Sequence, residues 1–298
     1  MPGYEQIPFE MRWVAILEEW RQARGVAEIA IEAEPIAGGT MAYSGPGSWS
    51  NQASGLGLRG PVTPADLDRL VAFYQTRASA AAIEVAPFAD ASLIHGLRER
   101  GFLLKDFEMV FATRVESGED CRRRATVPLD PSVEVRRFEP GDAEADRAFL
   151  LASMSGFVPE GQTEPNAADL EVGLNCLRHP RTVNVAAYAD GRIVGAGAME
   201  LAPDVPDEAD RPTPIACFFG VSVLPDYRRR GIQQAIIAAR LQACADSGCE
   251  LACIHAHPGV ATERNAMRMG FHHAYTKVTL IRPLDAPPAR PASPPSVG

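Results

Sequence analysis

The stretch Pro225–Ala235, PDYRRRGIQQA, joins a predicted strand at 214–224 to a predicted helix at 231–246. Proline ends the strand pattern, and the apolar residues after Gly231 recur at the spacing of one helix face. The first amides of a helix have no partner inside it, and the positive end of the helix dipole lies beside them. Three arginines add charge, and a glycine lets the main chain approach a bound group closely. The stretch therefore predicts a loop that binds an anion such as phosphate; the alternative is a basic turn that only begins the helix.

Composition limits the partners that this loop can serve. The chain has 298 residues, of which 46% are hydrophobic, and a net charge of -9 at pH 7. Such an acidic chain excludes general affinity for nucleic acid or an anionic membrane, while a local basic site for a small anion is allowed. The six cysteines are scattered without a paired CxxC motif, as in proteins of a reducing compartment. Because the start has no signal-peptide pattern and no long apolar stretch follows, we expect a cytoplasmic protein.

Patterns along the chain predict an α/β protein of two domains. The second half, 133–283, alternates strand and helix patterns in the order β α α β β β α β α β, with a hairpin turn at Asp190-Gly191. Before it, the polar segment 117–132 is interpreted as a linker that follows a first domain at 1–116. The tail 284–298 is rich in proline, and we expect it to be disordered.

The first half repeats the end of the second half in weaker form. Each has a strand that ends near a proline, a short helix and then Gly-Phe before a last strand, so that Pro87 matches Pro258 and Gly101 matches Gly270. This similarity predicts an internal duplication, although the same order of elements also recurs by chance in α/β proteins. The equivalent loop of the first half, 55–67, has one arginine and prolines that donate no amide, so we expect it to bind no phosphate.

The segment 133–283 resembles the GNAT superfamily of acyl-CoA-dependent N-acyltransferases. The resemblance rests on the pattern Arg-x-x-Gly-x-[Gly/Ala] after a strand and a proline turn, which Arg228 and Gly231 match, and on Gly270-Phe271 after the last helix. Gln233 departs from the pattern, because it occupies the position at which the pattern has its second small residue. The resemblance implies two GNAT-like mixed-sheet domains: a degenerate first domain without a coenzyme A site, and a complete second domain whose central strands splay apart.

The resemblance also implies how acetyl-CoA would bind. The pyrophosphate of coenzyme A would lie on main-chain amides near 229–234, and the pantetheine arm would pair with the strand edge near 221–223. The thioester would enter the V between strands 214–224 and 250–256. Asn265, on the last helix, is expected either to face this cleft or to cap locally. The predicted coenzyme-binding residues are Val221, Val223, Arg228, Arg229, Arg230, Gly231, Ile232, Gln233, Gln234 and Asn265.

The chemistry of acyl transfer needs a base for the acceptor amine and often an acid for the leaving thiolate. In many members of the family a tyrosine four residues before the Gly-Phe glycine is that acid, and Ala266 stands there in this chain. Tyr275, in the following strand, is the first substitute. His255 and His257, which share one face at the end of the strand 250–256, and Glu200 are the candidate bases. For each of these residues, and for Tyr275, an ordinary structural role is the alternative.

A metal site is not expected on the strand at 250–256, although that region carries ligand types. The residues on one face are Cys249, Cys253, His255 and His257. At about 3.3 Å per residue they spread over about 26 Å, which is too far for one tetrahedral ion.

The function that the resemblance implies is transfer of an acetyl or other short acyl group from acetyl-CoA to an amine of a small molecule or peptide. A protein that binds acyl-CoA as a sensor, without transfer, is the alternative, and Ala266 at the acid position favours it.

Overall fold

A computed structural model describes residues 9–158, 161–162 and 164–285. The described helices are α1 Met11–Ile29, α2 Pro64–Gln75, α3 Ala91–Glu99, α4 Ala143–Met154, α5 Ala167–Arg178, α6 Ile232–Asp246 and α7 Ala261–Arg268. The described strands are β1 Glu32–Ile36, β2 Gly39–Tyr43, β3 Ala53–Ser54, β4 Ala81–Val85, β5 Leu103–Arg114, β6 Val133–Phe138, β7 Thr182–Ala189, β8 Arg192–Pro206, β9 Pro212–Val223, β10 Leu251–Ala256 and β11 His272–Arg282. Among these helices, none combines the length and apolar character needed to cross a lipid bilayer. Most of the tail predicted to be disordered lies beyond Asp285, outside the described residues.

The second half folds in the predicted order, from β6 through β11. The hairpin turn between β7 and β8 falls at Asp190 and Gly191, with φ of +49° and +74°. Both residues are left-handed, as the two-residue turn that matches strand twist requires. The mixed α/β class and the order of elements in this half are therefore confirmed.

The chain divides into two compact units. The large unit comprises the residues through Arg21 together with Met109–Tyr275, and the small unit comprises Gln22–Glu108 together with the residues from Thr276 onward. This division differs from the predicted domains 1–116 and 133–283. The end of β5, from the first half of the sequence, belongs to the large unit, and the end of β11, from the second half, belongs to the small unit. The start of α1 also belongs to the large unit. Nothing in a strand pattern indicates which sheet edge the strand will join, so these boundaries could not be predicted.

The described residues of the large unit form six strands in the order β5-β10-β9-β8-β7-β6, to which β5 contributes residues 109–114. The central pair β9 and β10 is parallel, and its neighbours are antiparallel. β9 and β10 pair as far as Phe218 and Ile254, while β9 continues beside β8 to Val223. Gly220, with φ +57°, and a register shift lie just beyond the last pair. The predicted splayed pair is therefore present: the two strands are paired at one end and open at the other.

Helices cover both faces of this sheet. The core beneath α6 and α7 includes Phe218, Ile237, Leu241, Ile254 and Ala266. The opposite face is covered by α4 and α5, and by α1 through contacts of its charged residues with Glu200 and His255. Successive side chains of a strand alternate between faces, so His255 faces α1 because Ile254 faces α6 and α7.

The small unit has the strand order β1-β2-β3-β4-β11, in which residues 278–282 of β11 lie antiparallel to β4. The parallel contact of β3 with β4 and the following α3 repeat the order seen around β9, β10 and α7. Its apolar core includes Leu67, Leu70, Tyr74, Ile83, Leu93 and Leu97. The order of elements supports a duplication, which stays a prediction.

The segment 117–132, predicted to be a linker, packs along α6. Cys121 is fully buried, and its amide donates to Oε1 of Gln242 at 3.1 Å. The amides of Thr126 and Val127 donate to Oε1 of Gln234 at 2.8 and 2.9 Å. The segment looks like a linker in sequence because its own main chain, rather than an apolar side-chain pattern, makes these contacts.

Candidate active site

Two left-handed residues shape the loop between β9 and α6. Arg229 has φ +64° and Gly231 has φ +74°. A Cβ on Gly231 would also collide with the carbonyl oxygen of Pro128. Close approach of a phosphate is the predicted reason for this glycine. The structure adds a second reason, because the segment before β6 crosses directly against it.

The turn leaves main-chain donors without partners at the start of α6. Ala235 donates to the carbonyl of Gly231 at 3.0 Å, which is the first bond of the helix. In the described part of the chain, no acceptor receives the amides of residues 229–234. These amides lie at the positive end of the helix dipole. The loop therefore presents a set of donors suited to an anion, as the sequence predicts.

The arginine side chains are exposed around this set of amides. Nε of Arg228 donates to the carbonyl of Val223 at 3.1 Å, and Nη2 of Arg230 donates to the carbonyl of Asp226 at 3.3 Å. Nη1 of Arg230 is also 3.8 Å from the carboxylate of Asp130. These few contacts leave positive charge and further guanidinium donors at the mouth of the loop.

The side chains of Gln233, Gln234 and Asn265 bind one another. Nδ2 of Asn265 donates to Oε1 of Gln233 at 2.6 Å, and Nε2 of Gln234 donates to Oδ1 of Asn265 at 3.1 Å. Gln233 also donates to Thr262 at 3.0 Å. The departure from the family pattern at Gln233 thus ties α6 to α7, and Asn265 has a local partner on each glutamine.

Val221 and Val223 lie in the open part of the V. Both side chains are buried in a cluster with Ile232 and Ile236 of α6. A ligand in the V would therefore meet the main chain of these residues and not their side chains. Pairing of a pantetheine arm with this strand stays a prediction.

The equivalent loop of the small unit uses its amides internally. The amide of Val62 donates to Oγ of Ser92 at 2.8 Å, and Thr63 and Asp66 exchange the two bonds of a capping box. Pro64, the first residue of α2, has no amide to donate. This accounts physically for the expectation that the first half has no phosphate loop.

The candidate base His255 lies where β9 and β10 part. It follows Ile254, the last residue of β10 that pairs with β9, and its side chain is 15% exposed. Its Nε2 is 3.0 Å from Oε1 of Glu18, a residue of α1 with no exposed surface. A nitrogen of His255, Sγ of Cys217 and an oxygen of Glu18 lie within 4.8 Å of one another. One edge of the ring thus meets a buried carboxylate, while part of the side chain stays accessible.

Glu18 is ionised in spite of its burial. Burial disfavours the charged form, but Arg21 and His255 outweigh it and hold the pKa of Glu18 well below its usual range. Nε and Nη2 of Arg21 donate to the two oxygens of Glu18 at 2.9 and 2.5 Å. A bidentate pair of this kind is among the strongest that side chains form.

Glu200 belongs to the same network. Nη1 of Arg21 donates to its Oε2 at 2.6 Å, and Arg181 donates to its Oε1 from Nη2 at 2.8 Å and from Nε at 3.1 Å. Taking up a proton would break two ion pairs of a side chain that is almost fully buried. This geometry does not fit the predicted role of Glu200 as a base.

Tyr275 is also inside the core. Its hydroxyl donates to Oε1 of Glu19 at 2.7 Å, and only 3% of the residue is exposed. Burial, followed by the charges of Glu19 and Glu18, raises the pKa of Tyr275 well above its ordinary value. The predicted role as the acid for a leaving thiolate does not fit a phenol held in this way. Ala266, at the family's acid position, is fully buried on the inner face of α7.

The residue types of Glu18, Cys217 and His255 also occur in metal sites. Here Arg21 places a cation on both oxygens of Glu18. Burial also raises the pKa of the Cys217 thiol, although metal binding needs the thiolate. The arrangement therefore favours an ion-pair network over a bound metal.

Helix α1 is missing from the sequence predictions, although it brings Tyr275, His255 and Glu200 into one cluster. The signal for it was the stretch WVAILEEWRQA at 13–23, in which two acids and an arginine interrupt an apolar helical pattern. Charges at core positions of a helix indicate buried partners on other elements.

Comparison with known proteins gives two results. Residues 149–271, which contain His255 and the loop between β9 and α6, match the model of the Acetyltransferase (GNAT) family. No curated protein matches the sequence significantly.

Among solved structures, the fold is similar to a GCN5-related N-acetyltransferase from Kribbella flavida, with a TM-score of 0.64 and 18% identity, over 91% of this chain and 96% of that one. It is also similar to a conserved protein of unknown function from Staphylococcus epidermidis, with a TM-score of 0.52 and 13% identity, over 78% of this chain and 84% of that one. At these identities the likeness is one of fold.

Proposed function

Since its domain at 149–271 makes this chain a member of the GNAT superfamily, an acyl-CoA-dependent N-acyltransferase, we propose that it moves an acetyl or other short acyl group from acetyl-CoA to an amine of a small molecule or peptide. The observation that carries this proposal is the set of amides at 229–234, which have no described acceptor and lie beside the open end of the V.

In the proposed complex, the pyrophosphate of coenzyme A accepts hydrogen bonds from these amides, and Arg228, Arg229 and Arg230 supply the compensating charge. The pantetheine arm follows the open edge of β9 from Val223 toward Phe219, a path of about 13 Å at ~3.3 Å per residue. It brings the thioester to the point where β9 and β10 part, next to His255.

His255 is the base of the proposed reaction. The acceptor amine attacks the thioester carbonyl and loses a proton to His255, and the carbon–sulfur bond breaks as the amide forms. The same imidazolium then returns the proton to the departing thiolate. Two observations support His255 over the other candidates: Glu200 and Tyr275 are held by buried partners, and Ala266 has no acidic group.

The proposed binding of coenzyme A by the amides of residues 229–234 is tested by comparing Gln233→Pro with Gln233→Ala. Both variants remove the side-chain bonds to Thr262 and Asn265, but only proline removes the amide, and the first turn of a helix tolerates proline. We expect the affinity for acetyl-CoA, measured by calorimetry, to be about tenfold or more weaker in Gln233→Pro, since an amide bond to a charged group is lost. Equal affinities in two variants with the same melting temperature would remove the loop from the binding site.

Transfer itself is tested by following thiol release from acetyl-CoA with a panel of amines. Release above the hydrolysis background, and its loss in His255→Gln without loss of acetyl-CoA affinity, is the expected result. Tight binding of acetyl-CoA with no release for any amine would instead support the sensor alternative.

A further inference from the structure

We propose that Glu18 is the positioning residue of His255, so that the base is oriented by a helix outside the matched domain at 149–271. The inference rests on the proposed function, in which His255 takes the acceptor's proton. It extends that function to α1, which neither the family match nor the sequence pattern connects with the site.

The geometry of α1 fixes Glu18 firmly. Arg21 holds both of its oxygens from one helical turn away, and Arg21 is held in turn by Glu200. Glu200 is anchored by Arg181 at the start of β7. Because every member of this chain of ion pairs has a partner, Glu18 is held with its Oε1 at 3.0 Å from Nε2 of His255, an ion-pair distance at which the angle is not that of a hydrogen bond.

The charges of the network explain what Glu18 would do during the reaction. Glu18 and Glu200 carry two negative charges, and Arg21 and Arg181 carry two positive charges, so the four groups balance. A proton taken up by His255 adds one positive charge, which lies beside the carboxylate of Glu18. Glu18 therefore favours the imidazolium and fixes which ring nitrogen faces the buried side.

Among the described residues of the large unit, other titratable groups near His255 lie on α1, on β9 and on or just after β10. α1 contributes Arg21 beside Glu18, and the Glu19–Tyr275 pair lies one residue further along the helix. β9 contributes Cys217, β10 carries Cys253, and His257 follows directly after the end of β10. On the other side of β10, the partner of His255 on β5 is the uncharged Val110.

The test uses Glu18→Gln in the full chain, with Glu19→Gln as the matched control. Glu19 is the adjacent, equally buried carboxylate, but its described partner is Tyr275. Each protein is labelled at its six histidines and titrated by NMR, with His255→Gln identifying the signal. We expect the pKa of His255 to fall by about 1 to 3 in Glu18→Gln, the usual effect of losing an adjacent opposite charge. The acidic limb of kcat/KM should move to lower pH by the same amount, and neither should move in Glu19→Gln.

Glu18→Asp is the conservative variant. It keeps the charge on a shorter side chain, so we expect the acidic limb to stay near its wild-type position while kcat falls and KM is unchanged. If Glu18→Gln does not fold, this variant decides the question: a kcat equal to that of the wild type would overturn the proposal.

Two NMR results would also overturn it: an unchanged pKa of His255 in folded Glu18→Gln, or an equal shift of that pKa in Glu19→Gln. A third such result is stoichiometric Zn²⁺ that the wild type retains after gel filtration and that both His255→Gln and Cys217→Ser lose. Failure of the proposed function has a different signature, since a chain without acyl transfer would still show whether Glu18 controls the NMR titration of His255.

Discussion

Gly231 satisfies two requirements at one main-chain position. Its φ of +74° turns the chain into α6, and the absence of a Cβ leaves room for the carbonyl of Pro128. Either requirement alone would favour glycine. Only the first is implied by the local pattern, because Pro128 is 103 residues away in sequence, 231 minus 128.

Gly231→Ala should therefore destabilise the fold more than the same change at a glycine with free space around it. Gly248 is the matched control, since its φ of +72° is nearly the same and nothing lies within 4 Å of the position that a Cβ would take. We expect Gly248→Ala to cost about 1–2 kcal/mol in the free energy of unfolding. Gly231→Ala should cost about 1–3 kcal/mol more, because a neighbouring main chain must move. Equal losses in urea unfolding would show that the contact with Pro128 is not tight.

Glu18 should make stability depend on pH in the acid range. Its pKa is lowered in the folded state, so its stabilisation is complete above the unfolded pKa of about 4.3 and is lost as the pH falls toward the folded value. Glu18→Gln should be less stable than the wild type at pH 7. Below about pH 4, that difference should shrink by about 1.4 kcal/mol per pH unit. Urea unfolding at a series of pH values measures it, and a difference that stays constant down to pH 3 would contradict an ionised Glu18.

Among the elements, α1 carries two classes of ion pair. Arg21 is 8% exposed and bridges the buried Glu18 and Glu200, whereas Arg12 is 41% exposed and pairs with the exposed Glu208. Burial decides what each pair is worth. Removing one partner of a buried pair leaves a charge without compensation, while an exposed charge is simply solvated.

Arg21→Met should cost about 3–5 kcal/mol in the free energy of unfolding, because two buried carboxylates lose a shared partner. Arg12→Met, in the same helix, should cost at most about 1 kcal/mol. Chemical denaturation of both variants provides the measurement. Similar small losses would mean that water or other groups compensate Glu18 and Glu200.

In the whole molecule, each of the two compact units contains residues from both halves of the sequence. Residues 109–114 of β5 pair with β10 in the large unit, and residues 278–282 of β11 pair with β4 in the small unit. A polypeptide of residues 133–298 would leave β10 without this neighbour and the Glu200–His255 cluster without α1. An unpaired strand edge and uncompensated buried charges both favour aggregation or unfolding.

We therefore expect residues 133–298 expressed alone to be insoluble or to lack a cooperative melting transition, and coexpression with residues 1–132 to restore both. The control is the full chain with a protease site inserted at Gly118, an exposed glycine whose surroundings are open. After cleavage it should still elute as one species and bind acetyl-CoA. A soluble, cooperatively folded 133–298 polypeptide with full acetyl-CoA affinity would contradict this dependence.

The sequence alone determined the features that depend on near neighbours: the alternation of β6 to β11, the hairpin at Asp190 and Gly191, and the start of α6, whose amides have no described acceptor. Each follows from local φ preferences, from side-chain periodicity or from the unpaired amides of a helix start, and these act over a few residues. Only the tertiary structure decided that Glu18 lies beside His255 and that Arg21 and Arg181 form ion pairs with Glu200. It also decided that β5 pairs with β10 and that β11 pairs with β4. Those contacts join segments up to 237 residues apart, 255 minus 18. Pairing over such a distance depends on which edges and buried charges meet when the chain packs, and no short pattern records it.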